Sequence, residues 1–150
     1  MDENKGFSLV ELIIVISIMA ILASALAPSL IKYINKARLA RDIDSGRELA
    51  HAIMSALTDD AAFEGAEAHS SPQAVDAMDN AVFKAEVFQI MGVSQMNSHA
   101  KKDVNGDSFP TNTFYYTLDP IKNQVAIYYG DSRGLPDYMI YPNLGSKLSK

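Results

Sequence analysis

The chain contains no cysteine and no tryptophan. Without thiols, disulfide scaffolds, thiol nucleophiles and Cys-based zinc sites are excluded. Basic charge is also scarce. Thirteen Lys and Arg stand against 18 Asp and Glu, a net charge of −5 over 150 residues, with a pI near 5.0. That balance argues against a general nucleic-acid binder. No P-loop or other nucleotide motif is present, and no internal repeat of useful length. A 48% share of hydrophobic residues with 21% charged residues fits one ordinary domain rather than two, and an ordered chain rather than a disordered one.

The most informative scarcity is local. Residues 12–31, LIIVISIMAILASALAPSLI, carry no charge over 20 positions. At about 1.5 Å per residue this is roughly 30 Å of helix, the thickness of a bilayer's hydrocarbon core. A run of ~18 uncharged apolar residues already reads as a membrane span rather than as the buried helix of a soluble domain. A cleaved secretory signal competes, because Ala23-Ser24-Ala25 and Ala25-Leu26-Ala27 have the small-x-small pattern of a signal-peptidase site. Four features count against it. The start, MDENK, has two acids and one base where a basic segment belongs; the apolar run is too long; Glu11 lies inside the core; and Pro28 follows directly on the second site.

A carboxylate at the edge of such a run costs on the order of 2.5–3.5 kcal/mol in a membrane helix, so Glu11 calls for a partner or for an interfacial position. Its surroundings read Lys5-Gly6-Phe7-Ser8-Leu9-Val10-Glu11 and lead straight into the apolar stretch. This pattern resembles the class III signal of type IV pilins and the related pseudopilins: a short polar leader ending in Gly, then an aromatic residue, Ser or Thr, Leu, any residue, and Glu. The resemblance covers about the first 55 residues, including Pro28 where the family commonly has a helix-bending proline.

The resemblance implies that residues 1–6 are a leader. A prepilin peptidase would cut between Gly6 and Phe7 and methylate the new amino group of Phe7. Glu11 would face the Phe7 amine of a neighbouring subunit and set the register of a homo-oligomeric helical filament. Further partners implied are the cytoplasmic membrane, which holds the single-pass subunit before assembly, a pilus assembly platform and a motor ATPase. Loss of Asp2, Glu3 and Lys5 with the leader changes the charge from −5 to −4 (12 bases, 16 acids). Two departures from the family stand out. The leader is not net positive, and the Lys and Arg at 32, 36, 38, 41 and 47 would by charge bias put the carboxyl-terminal side in the cytoplasm. The family orientation is the reverse, and it is adopted here because the peptidase signal has to face the cytoplasm.

The expected fold class is α+β: a long N-terminal helix with an apolar first half, packed on a small antiparallel sheet. Residues 7–31 form the transmembrane or filament-core half of the helix. Residues 32–57 form an amphipathic half, with Leu39, Ile43, Gly46, Ala50, Ile53 and Leu57 in three- and four-residue steps. Pro28 removes a backbone donor and predicts a bend or loosened turn. Residues 58–150 are the head. Within it, 58–71 reads as a loop and 72–91 as a short helix capped by Ser71 with Pro72 and stopped by Gly92. A further loop covers 93–112, and strands are predicted at about 113–118, 124–129 and 137–141, the first two joined through residues 119–123.

Other apparent sites reduce to ordinary features. Asp103, Asn105 and Asp107 alternate like a calcium loop, but Ser108 and Phe114 stand where an EF-hand needs Gly and Glu, so a turn with solvated acids is the preferred reading. His51, His69 and His99 share no ligand spacing. Gly106-Asp107-Ser108 and Gly130-Asp131-Ser132 lack the strand-turn-helix context of a hydrolase nucleophile. The tyrosines at 115, 116, 128, 129, 138 and 141 fit strand packing, with an outer sticky surface as the alternative. The expectation is a non-enzymatic filament subunit without cofactor, metal or nucleic-acid site, used in adhesion, motility or DNA uptake. A pseudopilin of a secretion or competence machine is the near alternative, and a single-span binding or sensor protein the distant one.

Overall fold

The computed structural model describes residues 7–149; the leader residues, including Gly6, and Lys150 lie outside the described residues. It is mixed α+β, with a long N-terminal helix and a small antiparallel sheet of four strands. The chain divides into two compact units, residues 1–34 and 35–150.

In the first unit, helix α1 (Leu9–Ala56) begins and continues through Pro28 without interruption. Every described residue up to position 34 is exposed. A soluble helix with so continuous an apolar surface would be unstable in water, so these side chains need lipid or protein around them. The serine hydroxyls of its apolar run are satisfied within the helix itself. The hydroxyls of Ser17, Ser24 and Ser29 donate to the carbonyls of Ile13 (2.7 Å), Ile21 (2.8 Å) and Leu26 (3.1 Å). A bilayer core offers no water to do this, so such back-bonding suits a spanning segment.

The second unit starts from the rest of α1, whose buried positions Leu39, Ile43, Gly46, Leu49, Ala50, Ile53 and Ala56 recur at helical spacing. Helix α2 (Asp60–Gly65) follows, capped by Asp59, whose carboxylate accepts from the Ala62 amide. Next come β1 (His69–Ala74), a 3₁₀ turn at Val75–Ala77 and helix α3 (Ala81–Met91). After a long loop, β2 (Phe114–Asp119) and β3 (Gln124–Tyr129) form a hairpin, and a 3₁₀ turn at Pro136–Tyr138 leads into β4 (Met139–Tyr141). The order is β1-β2-β3-β4, antiparallel throughout. Alternation in β2 buries Phe114, Tyr116 and Leu118, while β3 buries Val125, Ile127 and Tyr129 on the same register. Together with Ile140 these side chains make the core with the buried stripe of α1.

The structure corrects the sequence reading between residues 58 and 91. The expected loop at 58–71 contains α2 and the start of β1, and residues 72–80 hold the end of β1 and a 3₁₀ turn rather than α-helix. Pro72 lies in β1, an edge strand, where its missing N–H costs no ladder bond on the open side. The cap of α3 is Asn80 rather than Ser71: its side chain accepts from the amides of Val82 (2.9 Å) and Phe83 (3.0 Å). Gly92 ends α3 in the left-handed conformation, φ 67°. The last strand is shorter than residues 137–141, since its first two positions belong to the 3₁₀ turn.

At Gly46, α1 packs directly against Ile140 of β4 and Phe114 of β2. A Cβ there would lie 2.5 Å from Ile140 Cδ1 and 3.1 Å from its Cγ2. Gly46→Val is therefore expected to destabilise the head by about 1–3 kcal/mol through overpacking, despite the better helix propensity of valine. Urea unfolding of the full chain in detergent, followed by tyrosine fluorescence, checks this; an unchanged midpoint would mean that Ile140 repacks freely.

Candidate functional site

The segment that carries the motif is organised by its own backbone. Helix α1 opens at Leu9, so Ser8 is its N-cap, and the first amides of the helix need acceptors. The Ser8 hydroxyl accepts from the Val10 amide at 3.3 Å, and Glu11 Oε2 accepts from the Ser8 amide at 2.9 Å. This is a variant of the capping box whose sequence signature is Ser-x-x-Glu, with the hydroxyl on the second helical amide instead of the third. Glu11 thus has a partner within its own chain, at the positive end of the helix dipole. The sequence reading gave Glu11 an interfacial position or an intersubunit partner and did not include the Ser8 spacing that assigns it this local one. Phe7, one residue outside the helix, is 82% exposed.

Residues 1–27 match the family model described as the prokaryotic N-terminal methylation motif. The chain carries a class III prepilin signal. No curated protein and no solved structure matches it significantly. The methylation motif covers the start of α1, a helix long and apolar enough to cross a membrane. It ends before the head begins, so the head must be read from its own geometry.

Two groups of head residues singled out in the sequence prove to be closed turns. Asp103 is buried, and its Oδ1 accepts from the amides of Asn105 and Asp107, each at 2.9 Å. Lys147 Nζ lies 3.1 Å from its other oxygen and 3.3 Å from Asp107. Burial pushes the Asp103 carboxyl up, but Lys147 and the two amides outweigh it and hold its pKa below the usual carboxylate range. With a lysine in place, the loop has a cation of its own where a calcium ion would sit. Asp131 is likewise buried and bound by Arg133 through both side-chain oxygens and the Arg133 amide, which lowers its pKa. Gly130-Asp131-Ser132 is therefore an Asp-capped turn.

Asp42 is the residue that sequence reasoning missed. It lies fully buried on α1, and its Oδ2 accepts from the backbone amides of His99 (2.8 Å) and Ala100 (2.6 Å). Its Oδ1 is 2.9 Å from His99 Nδ1. The Ala100 carbonyl then accepts from the Tyr129 hydroxyl at 2.6 Å. Burial, and next the Asp42 charge, raise the Tyr129 phenol's pKa and keep it a donor. One carboxylate so fastens the long loop after α3 to both α1 and β3. His51 stands edge-on to Tyr141. His69 comes within ligand range of Glu67 and Asp79.

Proposed function

We propose that this chain is the prepilin of a type IV pilus: cut between Gly6 and Phe7, methylated on Phe7, and assembled into a surface filament for adhesion, motility or DNA uptake. The observation that carries the reading is the coincidence of Ser8, Glu11 and an uncharged run of 20 residues behind a Gly-Phe junction. Before assembly the apolar half of α1 is solvated by lipid and Glu11 is held by the Ser8 amide. Cleavage makes the Phe7 nitrogen a free basic amine, and methylation leaves it able to carry a positive charge. In the filament that amine offers the Glu11 of an adjacent subunit a charged partner in place of a neutral one. A carboxylate in an apolar core is tolerable only when paired, so the pair fixes axial register more than it adds net stability. Pro28 leaves the Ser24 carbonyl without its helical donor, a point at which the helix can bend to fit a curved fibre. A peptidase, an assembly platform and a motor ATPase would supply processing and energy.

Intact-mass analysis of sheared surface material and of host membranes tests the reading. The expected chain starts at Phe7 with one added methyl group and dominates the sheared fibres. A start at Met1, Leu26 or Pro28 would overturn it. The same methylated chain confined to the membrane fraction would instead identify a pseudopilin.

A further inference from the structure

We propose that Lys32, Lys36, Arg38 and Arg41 form a basic collar that binds the headgroups of anionic phospholipids. The inference rests on the membrane stage of the function proposed above, in which lipid surrounds the apolar run of α1. Residues 12–41 contain no acid, and these four bases are the only charged residues among them. Once the leader is removed, the rest of the chain holds 8 bases against 16 acids, so a segment of net charge +4 interrupts an otherwise acidic protein. All four side chains are exposed, and among the described residues none forms an ion pair. The next acids along α1 are engaged elsewhere: Asp42 is buried against the amides of His99 and Ala100, and Asp44 lies 3.5 Å from Arg47. Glu48 lines a cleft with Arg41 without pairing with it.

Position along the helix decides what the bases meet. Ile31 ends the apolar run, and at about 1.5 Å per residue Lys32 and Lys36 follow within ~8 Å of it, the depth of the headgroup layer. Arg38 and Arg41 follow within about 15 Å, and side chains of an α-helix lean toward its N-terminus, here the lipid side. That lean brings both guanidinium groups within a Debye length, about 8–10 Å, of the headgroups. Tyr33, between the two lysines and 70% exposed, has the apolar ring and polar hydroxyl favoured at a membrane interface. Lys36, Arg38 and Arg41 stand off the Leu39, Ile43 and Gly46 stripe that is buried in the head, so packing leaves them free. A zwitterionic headgroup has no net charge to answer this collar, whereas the phosphate of an anionic lipid accepts charge-assisted hydrogen bonds from Lys and Arg.

Lipid association in proteoliposomes of the full chain tests the proposal, with spin-labelled phosphatidylglycerol and phosphatidylcholine as probes and the motionally restricted fraction as readout. Phosphatidylglycerol is expected to associate roughly threefold or more tightly, and the preference should vanish in about 1 M NaCl, where the Debye length is ~3 Å. The combined variant Lys32→Gln, Lys36→Gln, Arg38→Gln and Arg41→Gln should lose the preference. Lys101→Gln with Lys102→Gln, which removes two exposed bases of the loop after α3, should keep it. Circular dichroism checks the fold of both, and the wild-type preference and its salt dependence remain decisive if the combined variant misfolds. Equal association of the two lipids, a preference that salt leaves intact, or one that the folded combined variant retains would overturn the collar. So would binding of a short DNA duplex in place of the lipid preference, which would assign the bases to nucleic acid. Alkaline extraction of the vesicles separates the two readings: release of the chain removes the membrane stage itself, whereas an inserted chain without lipid preference removes only the collar.

Discussion

Asp42→Ala is expected to cost the head about 2–4 kcal/mol and to release the loop between α3 and β2. The substitution strands two backbone donors, the part-buried amide of His99 and the buried amide of Ala100, and removes the partner of His99 Nδ1. Each buried donor left without an acceptor costs about 1–3 kcal/mol. Against a total of about 5–15 kcal/mol for a domain this size, the loss is a large fraction. Asp42→Asn separates the causes. Its amide oxygen can still accept from both amides and its NH₂ can donate to a neutral His99, so it should lose only about 1 kcal/mol. Urea denaturation should give midpoints in the order wild type, Asn, Ala, with the alanine variant lower by roughly 1–2 M. Hydrogen exchange at residues 99 and 100 should speed up in the alanine variant alone. If Ala and Asn behaved alike, the charge rather than the two acceptor bonds would be holding the loop.

Asp42 also marks the limit of what the sequence discloses. The amides it binds lie 57 and 58 positions further along the chain, inside a polar loop with no pattern of its own. In the sequence it is one acid among several after the span, and only folding makes it the one polar residue in the α1 stripe. The N-terminal half is legible for the opposite reason. The charge-free run, the Gly-Phe junction and Glu11 are local signals at fixed spacing, readable without knowledge of any distant residue. Strand alternation was readable at Phe114, Tyr116 and Leu118 because one face of β2 is buried and the other is not. In β1, HSSPQA offers no such alternation and holds a proline; the strand exists because β2 lends it a partner across a bulge between His69 and Gln73. Helix α2 is too short for any period to show, and only its Asp59 cap could have been noticed.

Glu11→Ala is expected to leave the processed subunit in the membrane at an amount within about twofold of wild type and to lower sheared fibre tenfold or more. The residue has two candidate tasks, and they separate in one experiment. As acceptor for the Ser8 amide it caps α1, a contribution of about 0.5–2 kcal/mol that glutamine retains through its side-chain oxygen. As the charged partner of a neighbour's Phe7 amine it needs the carboxylate, which glutamine lacks. If capping is what matters, Glu11→Gln restores fibres. If the intersubunit pair matters, glutamine fails as alanine does, because a loss of only 1.4 kcal/mol per subunit contact is already about tenfold in each association step and recurs along the filament. The proposed function requires the second outcome. Cleavage at Phe7 must persist in both variants, as read by intact mass, so that loss of fibre reports assembly rather than processing. Normal fibres from Glu11→Ala would reduce Glu11 to a helix cap and remove the register mechanism.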